Sequence, residues 1–237
     1  YIFQIKTKPY LYLEMRLCFF IIVSVLIFYS CSNETKEVKA IKVTTPQDLE
    51  KETTTLLAFY LTKDTLITID SISLTCYRYF NSEYANTLLW FDKSKLNRNG
   101  DSLLKLIEKS IYYGLIPNQY HFIKIKRHLD SIQSNKNTIN VTALVKADLL
   151  LSDAYFLMGA HLNKGRFYTD SLLLQTNFSK LDKGWDSILV SGYKKSNLKA
   201  ALDSLEPKFY NYRMLKKELA TILNDASLFQ LDSIPFV

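Results

Sequence analysis

Apolar residues return every three or four positions over most of the chain after Thr45, the spacing that lines one face of an α-helix. Thr45-Pro46-Gln47-Asp48 opens the first such segment with a capping hydroxyl, a proline at the first helical position and a carboxylate three residues past the cap. Leu49, Leu56, Leu57 and Tyr60 then share a face. A second helix is predicted from the turn Asn99-Gly100-Asp101, with Leu103, Leu104, Ile107 and Ile111 recurring up to Gly114, which suits a left-handed cap. Leu115-Ile116-Pro117 redirects the chain, and a third helix after Asn118 carries Phe122, Ile125, Leu129 and Ile132. The longest pattern runs from Val141 to Asn163, with Leu144, Ala147, Leu151, Ala154, Tyr155 and Met158 in a broad stripe and Gly165 as its cap. Two last helices fit Asn197 to Leu205 and Phe209 to Asn224, parted by Glu206-Pro207.

Between these segments the pattern is weaker. Leu61 to Leu74 alternates loosely and suits either a short strand pair or a polar connection. Tyr77 to Phe80 reads as a short helix giving way to an extended stretch at Thr87 to Phe91, and Phe167 to Tyr193 as a long loop with short helical turns. The expected fold class is all-α: an irregular multi-helix array with long loops and room for one short strand pair. There is no internal repeat, and the polar loops fall within one array covering residues 45–225.

The N-terminal pattern is of another kind. Met15 and Arg16 precede an apolar run from Leu17 to Tyr29, shorter than the ~20 residues a membrane span needs and ending at Ser30-Cys31. Residues 15–31 resemble a bacterial lipoprotein signal, in which Cys31 becomes the lipidated first residue; a retained anchor with Cys31 a bystander is the other reading. Residues 1–14 precede the first methionine and read as a spurious leader, 32–44 as a flexible tether, and 226–237 as the truncated start of a following segment.

Composition supports helices. Gly 6 and Pro 5 leave little material for glycine-rich phosphate loops or the turns of an all-β fold, and 48% hydrophobic with 22% charged residues is the balance of a chain that builds a core. Thirty Lys and Arg against 23 Asp and Glu give +7; without the first 31 residues 27 face 22, or +5, dispersed over many lysines. That is a solvated surface rather than a nucleic-acid footprint, so no nucleic-acid partner is expected.

Three cysteines and three histidines set a low ceiling on metal and thiol chemistry. His121 and His128 are seven apart with no cysteine nearby, and read as one partly buried and one surface histidine; no metal or other cofactor is expected. Cys76 reads as a small buried hydrophobe rather than a nucleophile. Glu108 with Asp148 or Asp153 is the only carboxylate set worth weighing for glycoside cleavage, but Asp148 and Asp153 point roughly 140 degrees apart on a helix. Capping or pairing with Lys or Arg is their simpler role. Tyr84, Trp90 and Phe91 could stack on a sugar, with core packing the safer assumption.

Four stretches taken together resemble a known family: Tyr84 to Asp92 (YANTLLWFD), Leu103 to His121 (LLKLIEKSIYYGLIPNQYH), Ala147 to Arg166 (ADLLLSDAYFLMGAHLNKGR) and Leu202 to Leu215 (LDSLEPKFYNYRML). Their order, spacing and identity are similar to the scaffold domain of large multi-domain bacterial L,D-transpeptidases. The positions that carry the resemblance are Trp90; Gly114, Leu115, Pro117, Tyr120 and His121; Asp148, Leu151, Ser152, Asp153, Ala154, Gly165 and Arg166; Pro207 and Tyr212. The resemblance implies work on peptidoglycan outside the cytoplasmic membrane. It also implies a downstream peptidoglycan-binding module and a catalytic domain with its nucleophile in a Ser-His-Gly-Cys motif. No such motif occurs here, so no catalytic residue carries over.

The expectation is therefore a non-catalytic scaffold domain, exported as a periplasm-facing lipoprotein held to the membrane through lipid on Cys31. Its expected partners are peptidoglycan or cell-wall enzyme modules. A fragment of an active L,D-transpeptidase, and a carbohydrate-active enzyme using carboxylates, stay open beside it.

Overall fold

The computed structural model describes residues 41–43, 45–61, 67–74, 87–134, 138–166 and 184–225. All lie in a unit spanning Ala40–Val237; a separate unit, Tyr1–Lys39, lies outside the described residues, and Cys31 with it. So do Cys76, the helix expected at Tyr77 to Phe80, Tyr84, and residues 226–237.

Strand β1 (Lys42–Val43) leads into helix α1 (Pro46–Leu61), which begins as the sequence dictates: the Asp48 amide donates to Thr45 Oγ1 at 3.2 Å, and Leu49, Leu56, Leu57 and Tyr60 are buried. The ambiguous stretch that follows contains a hairpin, β2 (Thr68–Ile69) against β3 (Ile72–Ser73), turned by Asp70 and Ser71, both at positive φ. A second two-residue hairpin, β4 (Phe91–Asp92) and β5 (Lys95–Leu96), stands where extended chain was expected from Thr87; only its end is strand.

Helix α2 (Arg98–Glu108) starts before the Asn99-Gly100-Asp101 turn proposed for it, because the Asn97 side chain accepts from the Gly100 amide and caps it. It also ends sooner. A 3-10 turn takes over at Ser110–Tyr113, which shifts the register and leaves Ile111 exposed. Gly114 closes that turn at φ 73, in the left-handed conformation expected of it. A second 3-10 turn begins at Pro117 and runs to Tyr120, and His121, at φ 61, enters helix α3 (Phe122–Gln133).

β6 (Ile139–Asn140) pairs antiparallel with β1, and the Ile41 amide donates to Thr142 Oγ1 at 2.9 Å. The folded body thus reaches into the stretch 32–44 read as tether. Helix α4 (Val141–Lys164) follows, with 21 of its 24 residues buried. A helix apolar on all sides needs cover on all sides. α1, α2, α3 and the second 3-10 turn supply part of it, and α5 (Trp185–Lys194) and α6 (Leu198–Leu205) a further part. α5 occupies a region expected to be loop. Among the described residues no helix is long and apolar enough to cross a membrane.

Helix α7 (Tyr210–Asn224) differs from the others, having no buried residue. It rests mainly on the Ser110–Tyr113 turn. The described residues form seven α-helices and three two-stranded antiparallel sheets, the all-α irregular array that periodicity predicts.

Candidate functional site

Most positions that carry the family resemblance lie on α4 and on the two segments crossing it. Asp148 lies inside, and its Oδ1 accepts from the backbone amides of Leu89 at 2.9 Å and Trp90 at 2.8 Å. One turn along, Ser152 Oγ accepts from the Trp90 indole at 2.8 Å and donates to the Asp148 carbonyl. Three further groups complete the loop: the Asn97 side chain and the Tyr193 hydroxyl donate to the Leu89 carbonyl, and the Asn97 amide to the Trp90 carbonyl. Each backbone polar group of Leu89 and Trp90 is thereby satisfied inside the core, where an unpaired one would cost about 1–3 kcal/mol.

The Trp90 ring is fully buried, edge-on to Tyr193 at 5.2 Å and Tyr155 at 5.7 Å between centroids. A Cβ on Gly100 would sit inside van der Waals contact of the Trp90 carbonyl, so only glycine admits this approach.

The Pro117–Tyr120 turn is fastened by two more bonds. The Tyr120 hydroxyl pairs with His161 Nδ1 at 2.8 Å, and His121 Nε2 donates to Asp153 Oδ2 at 2.8 Å. Leu115 returns its amide to the Ser110 carbonyl and receives Ser110 Oγ on its own, closing the turn around Gly114. Gly165 ends α4 with its amide on the His161 carbonyl, and Arg166 beyond it is exposed. Pro207 and Tyr212 lie apart, between α6 and α7 and on α7, both half-buried. The Tyr212 hydroxyl is the one buried side-chain polar atom without a hydrogen-bond partner among the described residues.

Electrostatics reinforce this picture. Burial pushes the Asp148 carboxyl up to about 7, against the two amides that would hold it down. Away from this site Asp70 pairs with His128 Nε2 at 2.7 Å and Lys146 Nζ at 2.9 Å, while Lys124 donates to its carbonyl. Burial opposes its charge, but the hydrogen bonds and charges of Lys146 and His128 outweigh that and hold Asp70 below the usual carboxylate range. His128 is lowered, burial outweighing the pull of Asp70.

Several expectations change. Both His121 and His128 are buried and bonded to aspartates, so neither is a surface histidine. Asp148 holds two loop amides and Asp153 bonds a histidine, while Glu108 is exposed on α2, so the three are not gathered into a catalytic pair. Trp90 and Phe91 are core residues and present no stacking platform. The His121–Asp153 pair has the form of an oriented base, yet it is closed to solvent at 7% and 1% exposure. Among the described residues no group of three His, Cys, Asp or Glu could hold a metal.

Asn97, Tyr155, His161, Tyr193 and Asp70 were not legible as partners. Only Asn97 carried a local signal, an asparagine at a helix start. Tyr193 meets Leu89 across 104 positions, with nothing in either neighbourhood to announce it.

What the arrangement does is clamp: two crossing segments are fixed to a central helix by polar bonds, most of them buried. No curated protein and no solved structure matches the chain. The family model described as a scaffold domain matches residues 77–219, which contain every element of the clamp. With more than half its length covered by that match, the chain belongs to the scaffold-domain family.

Proposed function

We propose that the chain is a supporting, non-catalytic frame for cell-wall cross-linking modules of the L,D-transpeptidase kind, exported and held to the membrane through lipid on Cys31. The observation that carries this reading is the use to which the resemblance residues are put. Trp90, Tyr120, His121, Asp148 and Asp153 are buried and brace the fold from within. The surface adds support, since Phe209 and Leu215 are 77% and 71% exposed around and on α7, and Tyr210 and Ile222 on the same helix are exposed as well. Such residues are the ordinary material of a docking face. The module that covers them is either a separate protein or one encoded downstream in the same frame.

The test is a muropeptide assay. The purified chain should leave disaccharide-tetrapeptides unchanged, while loss of its gene lowers the share of 3–3 cross-links in the wall. Turnover of muropeptides by the chain alone would overturn the non-catalytic reading. Unaltered cross-linking in the deletion strain would overturn the link to the wall.

A further inference from the structure

A groove of about 610 Å³ opens between the C-terminal end of α2, the Ser110–Tyr113 turn, the start of α6 and one side of α7. Lys105, Lys109, Lys199 and Lys216 line it, and among the described residues no carboxylate does. Between the ammonium groups the walls are Leu106, Leu198 and the rings of Tyr112 and Tyr113.

Two of the four cations are fixed from behind. Lys199 pairs with Asp203 at 2.5 Å, and Lys216 pairs with Glu206 while its Nζ stands 4.2 Å over the Tyr113 ring. The Tyr113 hydroxyl donates to Asp203 at 2.6 Å, tying the turn to the same carboxylate. Lys105 and Lys109, one turn apart and exposed, have no ion-pair partner among the described residues.

The geometry points to this groove as the seat of a short acidic peptide segment of a partner protein, its carboxylates on Lys105 and Lys109 and its apolar side chains on Leu106 and the tyrosines. The volume falls within the range of formed binding clefts and suits a few peptide residues. Charge complementarity selects the sign of the occupant. The apolar walls select against an inorganic anion. A nucleic-acid backbone is disfavoured because among the described residues no arginine lines the groove to grip phosphate in bidentate fashion. This inference rests on the reading of the chain as a docking frame and adds the chemistry of what docks.

The experiment is fluorescence anisotropy on the full chain with a labelled acetyl-Asp-Leu-Glu-Phe-Asp-amide and its Asn/Gln counterpart. The acidic peptide should bind more tightly than the neutral one, and the Lys105→Gln/Lys109→Gln double variant should weaken it roughly tenfold. Lys51→Gln/Lys126→Gln, the same change in net charge at exposed positions on α1 and α3, should leave affinity within twofold of the parent. All four lysines are exposed, so circular dichroism of each variant should match that of the parent. No binding of the acidic peptide, equal binding of the neutral one, or an equal loss in the control variant would overturn the groove. Failure here with the cross-linking phenotype intact removes the groove and leaves the frame. Peptide binding with unaltered cross-linking does the reverse.

Discussion

Asp148 holds two loop amides on one oxygen inside the core, and its raised carboxyl makes that bond a source of pH dependence. The folded state keeps a proton that the unfolded chain has released, so stability from this group is full below pH ~4 and is lost as pH rises through 7. Asp148→Asn retains the accepting oxygen and removes the titration. Thermal melts from pH 5 to 8 should show the parent falling relative to the variant; parallel curves would refute the assignment. Asp148→Ala leaves both amides buried and unpaired and should cost about 2–3 kcal/mol in urea unfolding. The importance of this residue was visible beforehand in its place in the resemblance, but its partner was not. An aspartate within an apolar stripe looks the same whether it meets a lysine, a histidine or a loop backbone, since the choice is made by chain some sixty positions away.

At the level of elements, helices with a one-sided apolar stripe and a local cap were read correctly. α1 has both, in Thr45-Pro46 and its Leu49, Leu56, Leu57, Tyr60 face, and α3 buries the Ile125, Leu129, Ile132 row. α5 was missed because Ser187, Ser191 and Gly192 dilute its signal, and its stripe of Trp185 and Leu189 gains meaning only against α4. The same Gly192 sets how closely α5 and α6 approach. A Cβ there would overlap the Ala201 methyl and press on the Tyr155 hydroxyl. Gly192→Ala should therefore lower the urea midpoint by an amount equivalent to about 1–3 kcal/mol, even though alanine is the better helix former. A midpoint at or above the parent's would show that the two helices have room. The β2–β3 hairpin is governed by charge instead. Asp70 is held low and His128 is buried neutral, so acid protonates both partners of the latch. Stability from Asp70 is present above the ordinary carboxylate range and is lost as pH falls. That from neutral His128 is lost as pH falls below the ordinary histidine range. Amide exchange in the hairpin should accelerate on acidification before exchange in α4 does, and simultaneous loss in both would exclude a local latch.

For the whole molecule, the helical class followed from periodicity and the scarcity of glycine and proline. The boundary at Thr45 was set too late, because two-residue strands such as β1 carry no periodic signature. The lipid anchor proposed at Cys31 is tested at this scale too. Metabolic labelling with a palmitate analogue should mark the parent and fail in Cys31→Ala; equal labelling of both would move the anchor elsewhere.

The enclosure of α4 also constrains how the chain comes to be folded. Its cover is drawn from both sides in sequence, from Ile41 and α1 on one hand and from α5 and α6 on the other. A chain emerging from the ribosome therefore carries its most apolar described helix uncovered along the Tyr155–Gly159 side until Leu205 has been made. Folding must wait for nearly the entire unit, and a nascent chain paused in between is a natural client for a holding chaperone.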